Sequence, residues 1–251
     1  MSKTNIRAVL FDLDDTLWAI EPVLHLAEQQ LYAWLQQHAP ALTAQHTVAS
    51  LRQRRQDLAN TDPSYKINLW ALRHAVLTQA LSECGEDIAL SAPAMALFSA
   101  GRNAVTPFED VLPALQAMKS TLKLGTVSNG FADLKQIGLA EHFEISIAAH
   151  QFGTAKPDPS IFHAACAALK VTPQQAVYVG DDLTLDVLGA QQAGLRAVWM
   201  NRFERTLPAH IAPDAVCTNL SQLQHWLAQQ HAHLDKQYVE DAGRHAAGSI
   251  E

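Results

Sequence analysis

Cysteine is scarce and unpatterned. Cys84, Cys166 and Cys217 are far apart, no CxxC pair occurs, and the number is odd. Neither a disulfide framework nor a structural zinc site is supported by that usage. Basic charge is also short: 18 Lys and Arg stand against 25 Asp and Glu in 251 residues, a formal net charge of -7. That excludes a nucleic-acid binder held mainly by phosphate contacts, although a local basic pocket is allowed. Long apolar runs are missing. The longest uncharged one, Ile88 to Gly101, is too short to span a bilayer and contains Pro93. The opening MSKTNIR leads into AVLFDLD, where Asp12 breaks the apolar run, unlike a secretory signal. Neither GxGxxG nor a Walker-type GxxxxGK followed by Ser or Thr occurs, so dinucleotide and Walker sites are unsupported. The expectation is a cytoplasmic protein.

What is present is a globular composition, 48% hydrophobic and 17% charged, in a chain long enough for one large or two modest domains. Ile6 to Phe11 is a short apolar run of the kind that forms a buried strand. The next such run begins only at Leu122. Between them, Leu24, Ala27, Leu31 and Trp34 recur at helical spacing, as do Ile67, Trp70, His74, Leu77 and Leu81. Asp62-Pro63 predicts the start of the second of these helices. Ser91-Ala-Pro93 predicts the start of another, with Gly101 at its end.

After Thr106, strand-like runs (122–127, 145–149, 176–179, 197–200) alternate with helical ones (111–119, 131–139, 159–169, 185–193). Alternation of this kind predicts a parallel sheet covered on both faces. The expected architecture is therefore α/β: a Rossmann-like parallel sheet core from residues 1–17 and 106–230, with a helical module at 18–105 inserted after the first strand. Residues 231–251 read as a polar, flexible tail.

Four polar clusters follow predicted strands or sit in loops before helices: Asp12, Asp14, Asp15 and Thr16; Ser128, Asn129 and Gly130; Lys156-Pro-Asp-Pro; and Asp181 with Asp182. In an open parallel sheet the carboxyl ends of the strands share one edge, and ligands bind there. Each cluster alone reads as a turn or a helix cap. Together they assemble one site. Carboxylates crowded after a buried strand call for a hard cation, most simply Mg²⁺. A hydroxyl, N–H groups and a lysine suit a phosphate. The chemistry implied is phosphoryl transfer to a carboxylate nucleophile, with a second acid to protonate the leaving oxygen.

These residues resemble the haloacid dehalogenase superfamily of phosphohydrolases. The resemblance rests on DLDDTL at Asp12–Leu17, VSNG at Val127–Gly130, AKPDPSIF at Ala155–Phe162 and VGDDLTLDVLGAQQAG at Val179–Gly194. It implies that Asp12 is the nucleophile and a Mg²⁺ ligand, and that Asp14 is the acid/base and binds Mg²⁺ through its backbone carbonyl. It further implies that Thr16 supports the loop, that Ser128 and Asn129 contact the phosphoryl group, that Lys156 neutralises it, and that Asp181 ligates the metal. Asp182 or Asp186 would stand behind these ligands, and the sequence does not choose between them. At the Asp15 position Gly is common in that family. The helical insertion resembles the family's cap.

The function so implied is a Mg²⁺-dependent phosphatase of small phosphorylated metabolites, with no nucleic-acid or membrane partner and no oligomeric state assigned. Alternatives are a 2-haloacid dehalogenase, which resembles this sequence less at Asp14, and a phospho-acceptor signalling module. Other residues are read as scaffold: Arg52, Arg54 and Arg55 as a solvated helix face, His74 as a core or cap-lining histidine, and His231 and His233 as tail residues. Trp18 fits either the core or the substrate entrance. Lys66, Arg73 and Arg102 could reach an anionic substrate, but nothing in the sequence selects them.

Overall fold

The computed structural model describes residues 5–230; the predicted tail at 231–251, with His231 and His233, lies outside them. The chain starts with strand β1 (Ala8–Phe11), followed by α1 (Glu21–His38), α2 (Pro40–Gln45), α3 (Val48–Thr61), α4 (Leu69–Glu83) and α5 (Ser91–Arg102). Then come α6 (Val111–Lys119), β2 (Lys123–Ser128), α7 (Leu134–Ile137), β3 (Ile145–Ala148), α8 (Ala149–Phe152), α9 (Pro159–Ala168) and β4 (Ala176–Gly180). A π-helical turn (Leu183–Leu188) runs into α10 (Gly189–Gln192) and is followed by β5 (Arg196–Met200) and β6 (Ala215–Cys217).

All neighbouring strands pair in parallel, in the order β3-β2-β1-β4-β5-β6. This is the doubly wound order whose connection reverses at the central strand, opening a crevice at the carboxyl ends there. Phe11 lies opposite Thr126 on one side and Val179 on the other. The ends of β1, β2 and β4 therefore reach the rim at one level. Alternate strand residues feed opposite faces. Val9, Phe11, Val177 and Val179 pack with Val111, Leu115 and Met118 of α6, whereas Leu10, Tyr178 and Trp199 pack with Ile161, Phe162 and Cys166 of α9.

Helices α1 to α5 form a third core from Leu31, Leu35, Val76, Leu81, Met95 and Phe98, among others. The two linkers that join them to the sheet run side by side, with Phe108 N donating to Leu17 O at 3.0 Å. No helix among the described residues is long and apolar enough to cross a membrane.

Several sequence expectations shift. Asp62 caps only a short turn, Pro63–Lys66, and α4 begins after Asn68, whose side chain accepts from Ala71 N. Its buried face is Leu72, Val76, Leu77, Ala80 and Leu81. Trp70 is half-exposed and stacks on His74, so the predicted stripe follows an edge of this broadly apolar helix. Gly101 does not end α5 but lies inside it. A Cβ there would stand 3.0 Å from Ala27 Cβ, so its smallness lets α1 and α5 touch.

The Arg52, Arg54 and Arg55 cluster is not a solvated face. Glu28 of α1, only 6% exposed, is paired with Arg52, with Arg55 (2.5 Å) and with Arg73 (2.9 Å), while Arg54 pairs with Glu83. Burial works against ionisation of Glu28, but Arg73 and Arg55 hold its carboxyl below the usual range.

Candidate active site

The rim above β1, β2 and β4 gathers most of the predicted residues. Asp12 follows β1 directly, and its N–H donates to Val179 O at 2.9 Å, extending the ladder by one step. Lys156 sits in the loop before α9, 4% exposed. Its ammonium has three protons and three acceptors: Asp12 Oδ1 (2.6 Å), Asp186 Oδ1 (2.6 Å) and the Tyr178 hydroxyl (2.8 Å). Tyr178 in turn donates to Val127 O at 2.7 Å. Asn129 spends its amide on the same loop, donating to Lys156 O and accepting from Lys156 N. It therefore fixes the lysine's backbone. Ser128, buried at the end of β2, accepts from Gly130 N at 3.0 Å.

After β4 the structure separates the two acids that the sequence left undecided. Asp182 caps the following turn, accepting from Thr184 N and Leu185 N. Asp186 turns inward, 1% exposed, and its Oδ2 accepts from Asp182 N. Gly180 makes this possible, because a Cβ there would lie 2.3 Å from Asp186 Oδ2. Asp12, Asp181 and Asp186 each offer a carboxylate oxygen, all within 4.8 Å of one another.

The electrostatics follow from this crowding. Burial pushes Asp12 well above the usual carboxylate range, with Lys156 opposing and Asp186 adding to the shift. Burial would lower Lys156, but Asp12 and Asp186 outweigh it and hold the ammonium charged. Asp181 is pushed up to about 6, chiefly by burial, against the pull of Arg205. The Arg205 guanidinium donates to Asp181 Oδ2 at 2.8 Å.

Asp14 has other partners. Trp18 Nε1 donates to its Oδ1 (2.9 Å), and Arg102 Nη2 reaches both Oδ1 (2.8 Å) and Oδ2 (2.6 Å). Trp18 is fully buried, so it does not line an entrance. The Thr16 hydroxyl is buried and has no hydrogen-bond partner among the described residues.

With this geometry in place, the comparisons with known proteins decide the family. The haloacid dehalogenase-like hydrolase family model matches residues 6–194. The chain belongs to this family. Two of its curated relatives are phosphatases. One is 5-amino-6-(5-phospho-D-ribitylamino)uracil phosphatase YigB of Escherichia coli, 30% identical over 78% of this chain and 83% of the relative. The other is glyceraldehyde 3-phosphate phosphatase of Methanopyrus kandleri, 31% identical over 78% and 84%. Among solved structures, a 2-haloacid dehalogenase from Pseudomonas syringae pv. Tomato superposes with a TM-score of 0.84. It is 41% identical and covers 89% of this chain and 99% of that one.

As a haloacid dehalogenase-like hydrolase, this chain carries three site residues that no feature of its sequence selects. Tyr178 looked like one more apolar position in β4; its only signal was a hydroxyl in a fully buried strand. Arg102 and Arg205 contact Asp14 and Asp181 from elements distant in sequence, and no local spacing marks them.

Proposed function

We propose that the chain is a Mg²⁺-dependent phosphatase of small phosphomonoesters, working through an aspartyl-phosphate on Asp12. The observation that carries this reading is the buried Lys156 ammonium shared between Asp12 and Asp186 with Asp181 alongside. The three carboxylates are hard oxygen donors of the kind Mg²⁺ takes. Asp12 and Asp181 would hold it through carboxylate oxygens and Asp14 through its backbone carbonyl, with Asp186 completing the oxygen set. Bound there, Mg²⁺ offsets the charge of the phosphoryl dianion beside the carboxylates.

The chain's own residues then divide the work. An Asp12 carboxylate oxygen forms the bond to phosphorus while the bond to the leaving oxygen breaks. Lys156 neutralises the transferring group from the side, and the Ser128 hydroxyl binds one of its oxygens. Asp14 gives its proton to the leaving oxygen, then takes one from the water that opens the aspartyl-phosphate, a role worth about 10²–10⁴-fold in rate. Helices α1 to α5 act as a cap that shuts water out. The free thiols Cys84, Cys166 and Cys217 suit a reducing, cytoplasmic setting. The relatives' names support a small phosphorylated metabolite as substrate.

The dehalogenase likeness favours a second reading, halide displacement from a 2-haloacid by Asp12. Halide leaves without a proton and without a metal. Asp14 and the gathering of Asp181 beside Asp12 and Asp186 would then have no part in the chemistry, and the phosphatase reading uses both.

The test is Asp12→Asn, assayed with p-nitrophenyl phosphate and Mg²⁺. Turnover is expected to vanish while the circular dichroism spectrum stays that of the wild type. Wild-type phosphate release by that variant, or halide release by the wild type from a 2-chloroalkanoic acid without Mg²⁺, would overturn the reading.

A further inference from the structure

Arg102 ends α5, the last helix of the third core. It is 2% exposed, an expensive place for a charge without a compensating partner. Its one acid partner is Asp14, and the guanidinium is engaged unevenly. Nη2 serves both carboxylate oxygens, while Nη1 has no partner among the described residues. A guanidinium that served only as a pin between helix and sheet would gain more from the two-nitrogen fork.

The position of Arg102 is itself fixed from the sheet side. The Phe131 ring lies 5.6 Å from its Cζ. The next residue, Asn103, accepts from Asp133 N and donates to Gln136 Oε1, both at 3.0 Å. The loop that follows Ser128 therefore holds the end of α5 in place.

The donors are also distributed unequally on Asp14. Oδ1 receives two, from Trp18 and Arg102, which fills its lone pairs; Oδ2 receives one. Oδ2 is the oxygen left able to carry a proton. It borders the space that Gly130 leaves open. A Cβ there would stand 3.0 Å from Asp14 Oδ2, 3.2 Å from Arg102 Nη2 and 3.3 Å from Ser128 Oγ. Asp14 Oδ2 and the Ser128 hydroxyl thus share one space, and Arg102 borders it.

We propose that Arg102 is the positioning residue for Asp14, holding the carboxyl with Oδ2 toward the leaving oxygen and stabilising in place the carboxylate that proton donation produces. This rests on the phosphatase reading of Asp14. In the step concerned, the O–H bond of Asp14 breaks and the proton goes to the ester oxygen as its bond to phosphorus breaks. The alcohol departs neutral, and the charge left on Asp14 stays in contact with Arg102. Trp18 assists through its single N–H.

The test is leaving-group dependence. An alkyl phosphate such as glycerol phosphate needs the proton, whereas p-nitrophenolate leaves without it. Arg102→Met is expected to lower kcat/KM on glycerol phosphate, which reports the steps up to departure of the alcohol, by about 10²-fold, the lower end of general-acid effects, with kcat/KM on p-nitrophenyl phosphate largely retained. Arg102→Lys is expected to recover part of the loss. Trp18→Phe, which removes one N–H, is expected to show the same pattern more weakly. In the Asp14→Asn background, Arg102→Met is expected to add nothing.

Equal losses of kcat/KM on the two substrates, or an additive loss in the double variant, would overturn the proposal and make Arg102 a structural pin. Should Arg102→Met fail to fold, the lysine and Trp18→Phe variants carry the same comparison. Asp14→Asn alone separates the two levels. If it lacks the leaving-group pattern, the acid/base reading of Asp14 falls, and this proposal with it. If Asp14→Asn shows the pattern and the Arg102 variants do not, only the present proposal falls.

Discussion

Asp15 takes a left-handed backbone, φ +57°, and its side chain accepts from Ile20 N at 3.0 Å. Asp tolerates that conformation better than most side chains, and Gly has no penalty there, which gives a physical reason for the family's frequent Gly. Asp15→Gly is expected to leave stability nearly unchanged, whereas Asp15→Ala is expected to cost about 1–2 kcal/mol in urea unfolding. Asp181 gives a pH signature. Its folded value of about 6 stands above the ordinary 3.8, so the folded state holds the proton more tightly. Stability of the metal-free protein therefore falls as pH rises from about 4 to about 6 and then levels, by at most about 3 kcal/mol from this group. Metal-free Asp181→Asn is expected to melt higher than the wild type at pH 7.5 and to lose that advantage at pH 4.5. An unchanged difference at the two pH values would contradict the shift. Asp12, Ser128, Lys156 and Asp181 were legible in the sequence because each sits directly after a strand or before a helix. Asp186 was left level with Asp182 because only the inward turn past Gly180 tells them apart.

At the scale of elements, Glu28 ties α1 to α3 and α4 through Arg52, Arg55 and Arg73. Burial and Arg55 bring Arg73 down to about 10, and its guanidinium lies 3.6 Å from the Phe98 ring centroid. Removing the carboxylate leaves two largely buried guanidiniums without a counter-charge. Glu28→Ala is expected to cost about 3–5 kcal/mol in urea unfolding; a loss below about 1 kcal/mol would show that the arginines find water instead. The sequence could not show this knot, since its members are up to 45 positions apart and each alone looks like a surface charge. Strands β1, β4 and β5 were readable because burial on both faces leaves an apolar run. The edge strand β6 is three residues long with Val216 exposed, too short to carry a pattern. Of the predicted helix 131–139 only Leu134–Ile137 forms, between the Asp133 cap and Gly138 at φ +85°.

For the whole molecule, strand–helix alternation implied a parallel sheet but not its strand order. That order depends on which side of β1 each later strand takes. It is the order that brings Asp12, Ser128 and Asp181 to one rim, and it gives the carboxylates a shared interest in a cation. Mg²⁺ at about 100 times its dissociation constant is expected to stabilise the fold by about 2.7 kcal/mol, a rise in Tm of roughly 5–10 °C for a chain of this size. The rise is expected to be largely lost in Asp181→Asn. The most direct measurement is mass spectrometry of the acid-quenched enzyme during turnover of a phosphomonoester with Mg²⁺. The account predicts a phosphoryl group on the peptide containing Asp12, absent from Asp12→Asn. An unmodified Asp12 peptide at steady state, together with an alkyl ester on Asp12 when a 2-haloacid is supplied, would contradict it.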